Sequence, residues 1–278
     1  MLLATVLALA AAVIHAAWNF VAKRADGDRY LVLWAQFFAG GLIALPLLVG
    51  NHLLFGLRWE GYAWGALSGC VHLPYTVLLA KAYAHGDFSV SYPVARGGGA
   101  ALAAVGGVLL LGDHLSTLEV LGIAIVVAGL MLLAYGATAP NVAMALAVAV
   151  TIGAYTIIDA KGARITESVA YIFVVFVATS VSNTTFALAT GRRAEMATML
   201  RVHGRRAALT GAASLLTYGL VLVAVQHAPV GYVTALRESS VVLAALAGWK
   251  LLGEGDHRRR ITAAAVVFSG LLVLVLGG

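Results

Sequence analysis

Ten apolar runs separated by short gaps dominate this chain, at about 2–22, 30–50, 61–84, 88–111, 115–136, 141–159, 168–190, 207–227, 229–252 and 259–277. A helix needs roughly 20 apolar residues to cross the hydrocarbon core of a bilayer. These runs have no polar face to turn toward water, as a surface helix of a soluble domain does. Only 11% of the 278 residues are charged, against 62% hydrophobic, whereas a soluble domain keeps about a quarter of its residues charged. The expected fold is therefore all-α integral membrane, with ten transmembrane helices. Membrane β-barrel strands alternate in polarity over roughly ten-residue segments, and the runs do not alternate. The first run, MLLATVLALAAAVIHAAWN, lacks the positive leading region of a signal peptide and reads as a retained first helix.

The runs repeat. Adding 141 maps Arg96 onto Arg237, Leu102 onto Leu243, Gly107 onto Gly248, Gly112 onto Gly253, Asp113 onto Glu254 and Gly129 onto Gly270. Nearer the N-terminus the offset is 137, mapping Trp18 onto Tyr155 and Leu9 onto Leu146. The four extra residues fit the long gap from Gly191 to Arg206. The reading is two five-helix repeats, 1–137 and 138–278. An odd number of crossings turns the second half upside down relative to the first, the inverted plan of many secondary transporters, whose site lies near the midplane between halves.

Charge orders the ends of the runs. One side collects Lys23, Arg24, Arg29, Lys81, Arg192, Arg193, Arg201, Arg205, Arg206, Lys250, Arg258, Arg259 and Arg260, and the other only Arg58, Lys161 and Arg164. The rule that cytoplasmic loops are basic places the rich side inside and both termini outside. The net charge of +6 is thus explained by topology. No basic stripe with interleaved aromatics points to nucleic acid. The single cysteine, Cys70, can form neither an intrachain disulfide nor a thiolate metal cluster.

Arg96 lies about seven residues into its run, roughly 10 Å deep, and Arg237 lies at similar depth from the opposite face. An arginine inside a membrane helix costs roughly 2.5–3.5 kcal/mol and usually faces a cavity or a partner. The pair makes a candidate anion cavity, with helix-end carbonyls or Glu238 as the structural alternative. Glu238, next to Arg237, is a candidate proton carrier if it is not held in an ion pair. His15, Trp18 and Asn19 share a helix face at i, i+3 and i+4. Tyr155 corresponds to Trp18, while Tyr75 and Tyr218 lie deep enough to reach a central cavity. These nine residues are the candidate substrate-binding set. Asp159 and Lys161 read as residues near a helix end. The three glycines Gly97 to Gly99 read as a hinge or as space beside Arg96. Neither a nucleotide-binding loop nor a zinc-protease motif is present, and no catalytic, metal or cofactor residue is assigned.

With the repeat in hand, the chain resembles the drug/metabolite transporter superfamily in its EamA-like branch. The carriers of that resemblance are the five-plus-five helix plan and the run endings LLLGD (Leu109 to Asp113) and KLLGE (Lys250 to Glu254). Each is followed by a run with a late glycine, LGIAIVVAGLMLL and ITAAAVVFSGLLVLVL. The resemblance implies a cofactor-free carrier of amino acids and other small metabolites, with a central site lined by both halves. It also implies termini in the cytoplasm, opposite to the charge count. The expected function is a secondary transporter in the inner (plasma) membrane that exports a small polar metabolite, such as an amino acid or organic anion, by alternating access. Its partners would be that substrate, the bilayer and coupled protons. An integral-membrane enzyme acting on lipid headgroups and a non-transporting scaffold or sensor are the alternatives.

Overall fold

Local chemistry sets several helix ends in the structure, a computed structural model that describes residues 1–23, 27–85, 88–133, 135, 139–243 and 257–278. Asp28 accepts the backbone N–H of Leu31 at 3.1 Å and starts α2 (Arg29–Leu54), which follows α1 (Leu2–Lys23). Trp59–His85 forms α3 and Phe88–Leu111 forms α4. The LLLGD turn follows α4. Gly112 takes the left-handed conformation (φ +73°) that glycine adopts at no steric penalty, and Asp113 folds back so that its N–H reaches Gly107 O at 3.0 Å. A Cβ on Gly107 would lie 2.7 Å from an Asp113 carboxylate oxygen, so a side chain there would displace that carboxylate. Next, α5 (Thr117–Leu133) opens on a reciprocal cap. Glu119 N–H donates to Ser116 Oγ at 3.2 Å, and Ser116 N–H donates to the Glu119 carboxylate at 2.7 Å. The second half supplies α6 (Ala139–Thr166), α7 (Tyr171–Ala189), α8 (Arg193–His227), α9 (Val230–Arg237) and α10 (His257–Gly277). Helix resumes at 239–243 after a break at Glu238.

Among the described residues, six helices are long and apolar enough to cross a membrane, from α2 to α4 and from α6 to α8. Shorter apolar helices are Leu2–Trp18, Thr117–Leu132 and Ile261–Gly277. The helices pack reciprocally between the halves: α3 lies on α6 and α7, α8 on α1 and α2, α2 on α7, and α5 on α10. One end of the bundle gathers both termini. Thr5 Oγ1 and Tyr232 OH are 2.7 Å apart, Gly278 meets Tyr232 and Met1, and Ser116 Oγ donates to Gly277 O.

Two readings of the sequence change. The gap from Gly191 to Arg206 is mostly helix, because α8 begins at Arg193 rather than near 207 and runs 35 residues. At 1.5 Å per residue that is about 50 Å, longer than the roughly 30 Å hydrocarbon core. The basic extension is amphipathic and buries Met196 and Met199 against Trp34 and Ala35 of α2. The glycines after Arg96 are neither a hinge nor a ligand space. They lie within the continuous α4, and a Cβ there would meet Met131 and Leu130 (Gly97), Ala149 (Gly98) or Ile152 (Gly99). They let α4 lie close on α5 and α6. The KLLGE ending lies outside the described residues.

Candidate functional site

A cavity of about 240 Å³ lies at the centre of the bundle between the two halves, room for roughly eight waters at about 30 Å³ each. Its wall includes seven of the nine candidates: His15 and Trp18 from α1, Tyr75 from α3, Arg96 from α4, Tyr155 from α6, Tyr218 from α8 and Arg237 from α9. Glu238 stands behind the wall, on Arg96. Asn19 lies on α1, with its side chain outside the described residues. The exposed Arg29 at the start of α2 also lines the cavity, which therefore reaches toward the arginine- and lysine-rich end.

The floor is aromatic. His72 stacks on Tyr155 with ring centroids 4.2 Å apart, and Tyr75 and Tyr218 meet Tyr155 edge-on at 5.2 and 6.2 Å. The His72 ring is fixed by Ser68, whose carbonyl lies 2.9 Å from Nδ1. His15 lies edge-on to Trp18 at 4.8 Å, and its Nε2 is 3.4 Å from Tyr92 OH. Such a box suits a small, flat organic body.

The two arginines diverge. Arg96 grips Glu238 with two parallel bonds, Nε to Oε2 at 3.0 Å and Nη2 to Oε1 at 2.6 Å. Both are buried, at 4% and 2% exposure, and this bidentate geometry is the strongest form of the pair. Arg237, 5% exposed, has no ion pair among the described residues, and its Nε has no hydrogen-bond partner. Its guanidinium lies 5.9 Å from the Tyr218 ring centre. The direct ion pair of Glu238 is therefore with Arg96 and not with its sequence neighbour.

Three more cavity-wall atoms are buried without partners: Trp18 Nε1, Gln36 Oε1 and Thr179 Oγ1. Buried polar atoms are nearly always satisfied, so this set of two donors, one acceptor and one hydroxyl marks where a polar ligand or water belongs. Sequence reasoning did not select Gln36, Thr179 or His72 as site residues. Gln36 carried a signal, being a polar residue alone in the middle of an apolar run.

Beyond the floor, the far end is knotted. Arg164 of α6 donates to Asp113 Oδ1 at 2.6 Å, to Val225 O at 2.8 Å and to Ala228 O at 3.1 Å. Asp113 Oδ2 accepts the N–H of Val230 at 2.7 Å. Pro229 cannot cap α9 through its side chain, so the LLLGD aspartate does so from the turn after α4. Four helices, α4, α6, α8 and α9, are tied at this end.

No curated protein matches the chain. Among solved structures, 29 chains match. One, a crystal structure of a protein 16% identical, superposes with a TM-score of 0.73 over 98% of this chain and 97% of that one. It establishes a shared fold along nearly the whole length. Residues 140–276 match the model of the EamA-like transporter family. The chain belongs to that family within the drug/metabolite transporter superfamily, and so is a multi-pass membrane transporter of that type, with a small-molecule substrate.

Proposed function

We propose that the protein is a secondary transporter of the inner (plasma) membrane that exports a small metabolite bearing an anionic group, an amino acid or organic anion, by alternating access. The single observation that carries this reading is Arg237, a buried guanidinium on the cavity wall with no ion pair among the described residues and an unpartnered Nε. A buried guanidinium without an ion pair is costly, and an entering carboxylate supplies a bidentate partner. Trp18, Gln36 and Thr179 offer further bonds, and Tyr75, Tyr155 and Tyr218 bracket the body.

Two inverted repeats, 1–137 and 138–278, would rock about this site. The reciprocal packing of α3 and α8 supports the pairing, as does a family match that falls inside the second repeat. Export is favoured by the cavity reaching the arginine-rich end, which the charge rule makes cytoplasmic, while the Asp113–Arg164 knot closes the other end.

The test compares metabolites in cells and spent medium for strains expressing wild type, Arg237→Gln or empty vector at matched membrane levels. Wild type alone should deplete a carboxylate inside and enrich it outside. Equal redistribution by Arg237→Gln overturns the anion site, and no redistribution by well-inserted wild type overturns export.

A further inference from the structure

The sequence placed Asp159 near a helix end, but the structure buries it completely, at 0% exposure. Its carboxylate lies just beyond the aromatic floor of the cavity. Tyr171 OH of α7 donates to Oδ1 at 3.0 Å, and Tyr218 OH of α8 donates to Oδ2 at 2.5 Å. Among the described residues no arginine or lysine pairs with it. The other groups around it are known. Ser68 and His72 face it from α3, and Tyr155 precedes it by about one turn on α6. Arg96 on α4 and Asp113 in the turn after it are engaged by Glu238 and Arg164, and α9 contributes Arg237.

Two buried carboxylates are thus held differently. Glu238 is clamped by a guanidinium, so a proton there would strip Arg96 of its partner. Asp159 is held by two phenols, with Ser68 and His72 also against it and no arginine or lysine paired to it among the described residues. Its donors help the ionised form but leave it without an ion pair in a low-dielectric interior. Of the two, Asp159 is the one that can exchange a proton without orphaning a cation.

It is also wired to the cavity. Tyr218 has its hydroxyl on Asp159 and its ring beside Arg237. Across this one side chain the buried charges are +1 at Arg237 and −1 at Asp159. An anion arriving at Arg237 leaves the group at −1, and one proton on Asp159 restores neutrality. We propose that Asp159 is a proton-binding site loaded when an anion occupies the Arg237 end of the cavity, with Tyr218 linking the two. The cycle then moves one anion together with one proton, in the direction set by their combined gradient. The linkage rests on the anion reading above; the proton site itself does not.

Two arms separate these. Infrared difference spectra of purified wild type, taken from mildly acidic to mildly alkaline pH, should contain a protonated-carboxyl band absent in Asp159→Asn. In Tyr218→Phe, which loses one donor to the ionised form, the band should persist to more alkaline pH. A spectrum in which Asp159→Asn removes no band and Tyr218→Phe shifts none overturns the proton site. In the second arm, benzoate is added in weak buffer with a pH indicator. Wild type should take up about one proton per benzoate bound, Asp159→Asn should bind without uptake, and Arg237→Gln should do neither. Undiminished uptake by Asp159→Asn overturns the linkage. Failure of wild type to bind benzoate counts against the anion reading alone, and the infrared arm still decides Asp159.

Discussion

Arg96 and Arg237 lie 141 residues apart at matching places in the sequence and are similarly buried, yet their surroundings are opposite. Arg96 is saturated by a bidentate carboxylate, whereas Arg237 is left facing a cavity. The difference lies one residue further on. Gly97 follows Arg96, and α4 continues through it in close contact with Leu130 and Met131 of α5. Glu238 follows Arg237, and there α9 ends, with the Glu238 N–H reaching back to Thr234 and Ala235 carbonyls. The break carries the carboxylate across to the other half's arginine. Two arginines at matching places in the sequence thus differ through a single unequal neighbour, one a strut held in a buried ion pair and the other lying on the cavity wall. Broken helices at the midplane are where transporters commonly place their ligand contacts.

The sharpest way to break this comparison is to remove the strut's partner. Glu238→Gln leaves Arg96 charged and buried, and should cost about 3–5 kcal/mol of stability. The double variant Arg96→Met, Glu238→Leu replaces the pair with apolar groups of similar size and should recover most of that loss. Denaturant unfolding of the solubilised protein reads both. A loss below about 1 kcal/mol in the single variant would mean that Arg96 finds another partner and is no strut.

The second test asks whether the far end is as firmly tied. Arg164→Gln removes charge-assisted bonds to Asp113 and to the last turn of α8, and should cost about 2–3 kcal/mol. Because Asp113 also caps α9, Asp113→Asn should be destabilising too, and a double-mutant cycle should show coupling between them. Additive effects would mean that the knot is two separate contacts.

Much of the fold was legible. Runs of twenty apolar residues with short gaps leave little but helices, and capping chemistry such as Ser116 with Glu119 marks their ends. The start of α8 was not, since RAEMATMLRVHGRR reads by charge as a loop, and only its contact with Trp34 makes it an amphipathic helix. Within the site, polar and aromatic residues deep in apolar runs were conspicuous, so His15, Trp18, Tyr75, Tyr155 and Tyr218 could be singled out. Their partners could not, because nearly all-round apolar helices do not encode which way each is rotated. That is why Glu238 was read beside Arg237, why Asp159 was read as a helix-end residue, and why Thr179 was overlooked.

The third test has the opposite sign to the first. Arg237→Met removes a buried cation that has no ion pair among the described residues, so the unliganded protein should gain about 1 kcal/mol of stability while losing anion recognition. Such a trade identifies a group kept for function, where Glu238→Gln identifies one kept for the fold. Destabilisation of Arg237→Met by about 2 kcal/mol or more would make Arg237 a second strut, and the comparison would collapse.

The smallest effect should come from an arginine at the surface. Arg192 reaches Asp28 at 3.2 Å and lies 5.4 Å from the Tyr30 ring centre, with both ionised groups about one-third or more exposed. Water and salt screen such a pair, which is worth about 0.2–1 kcal/mol. Arg192→Gln should therefore shift unfolding by less than about 1 kcal/mol, and added salt should erase the shift because the pair lies within reach of mobile ions. The Glu238→Gln loss should survive the same salt, since no ions enter around Arg96. If salt weakened both alike, the Arg96–Glu238 pair would be hydrated in solution, and the contrast between a sealed strut and an open recognition arginine would have to be withdrawn.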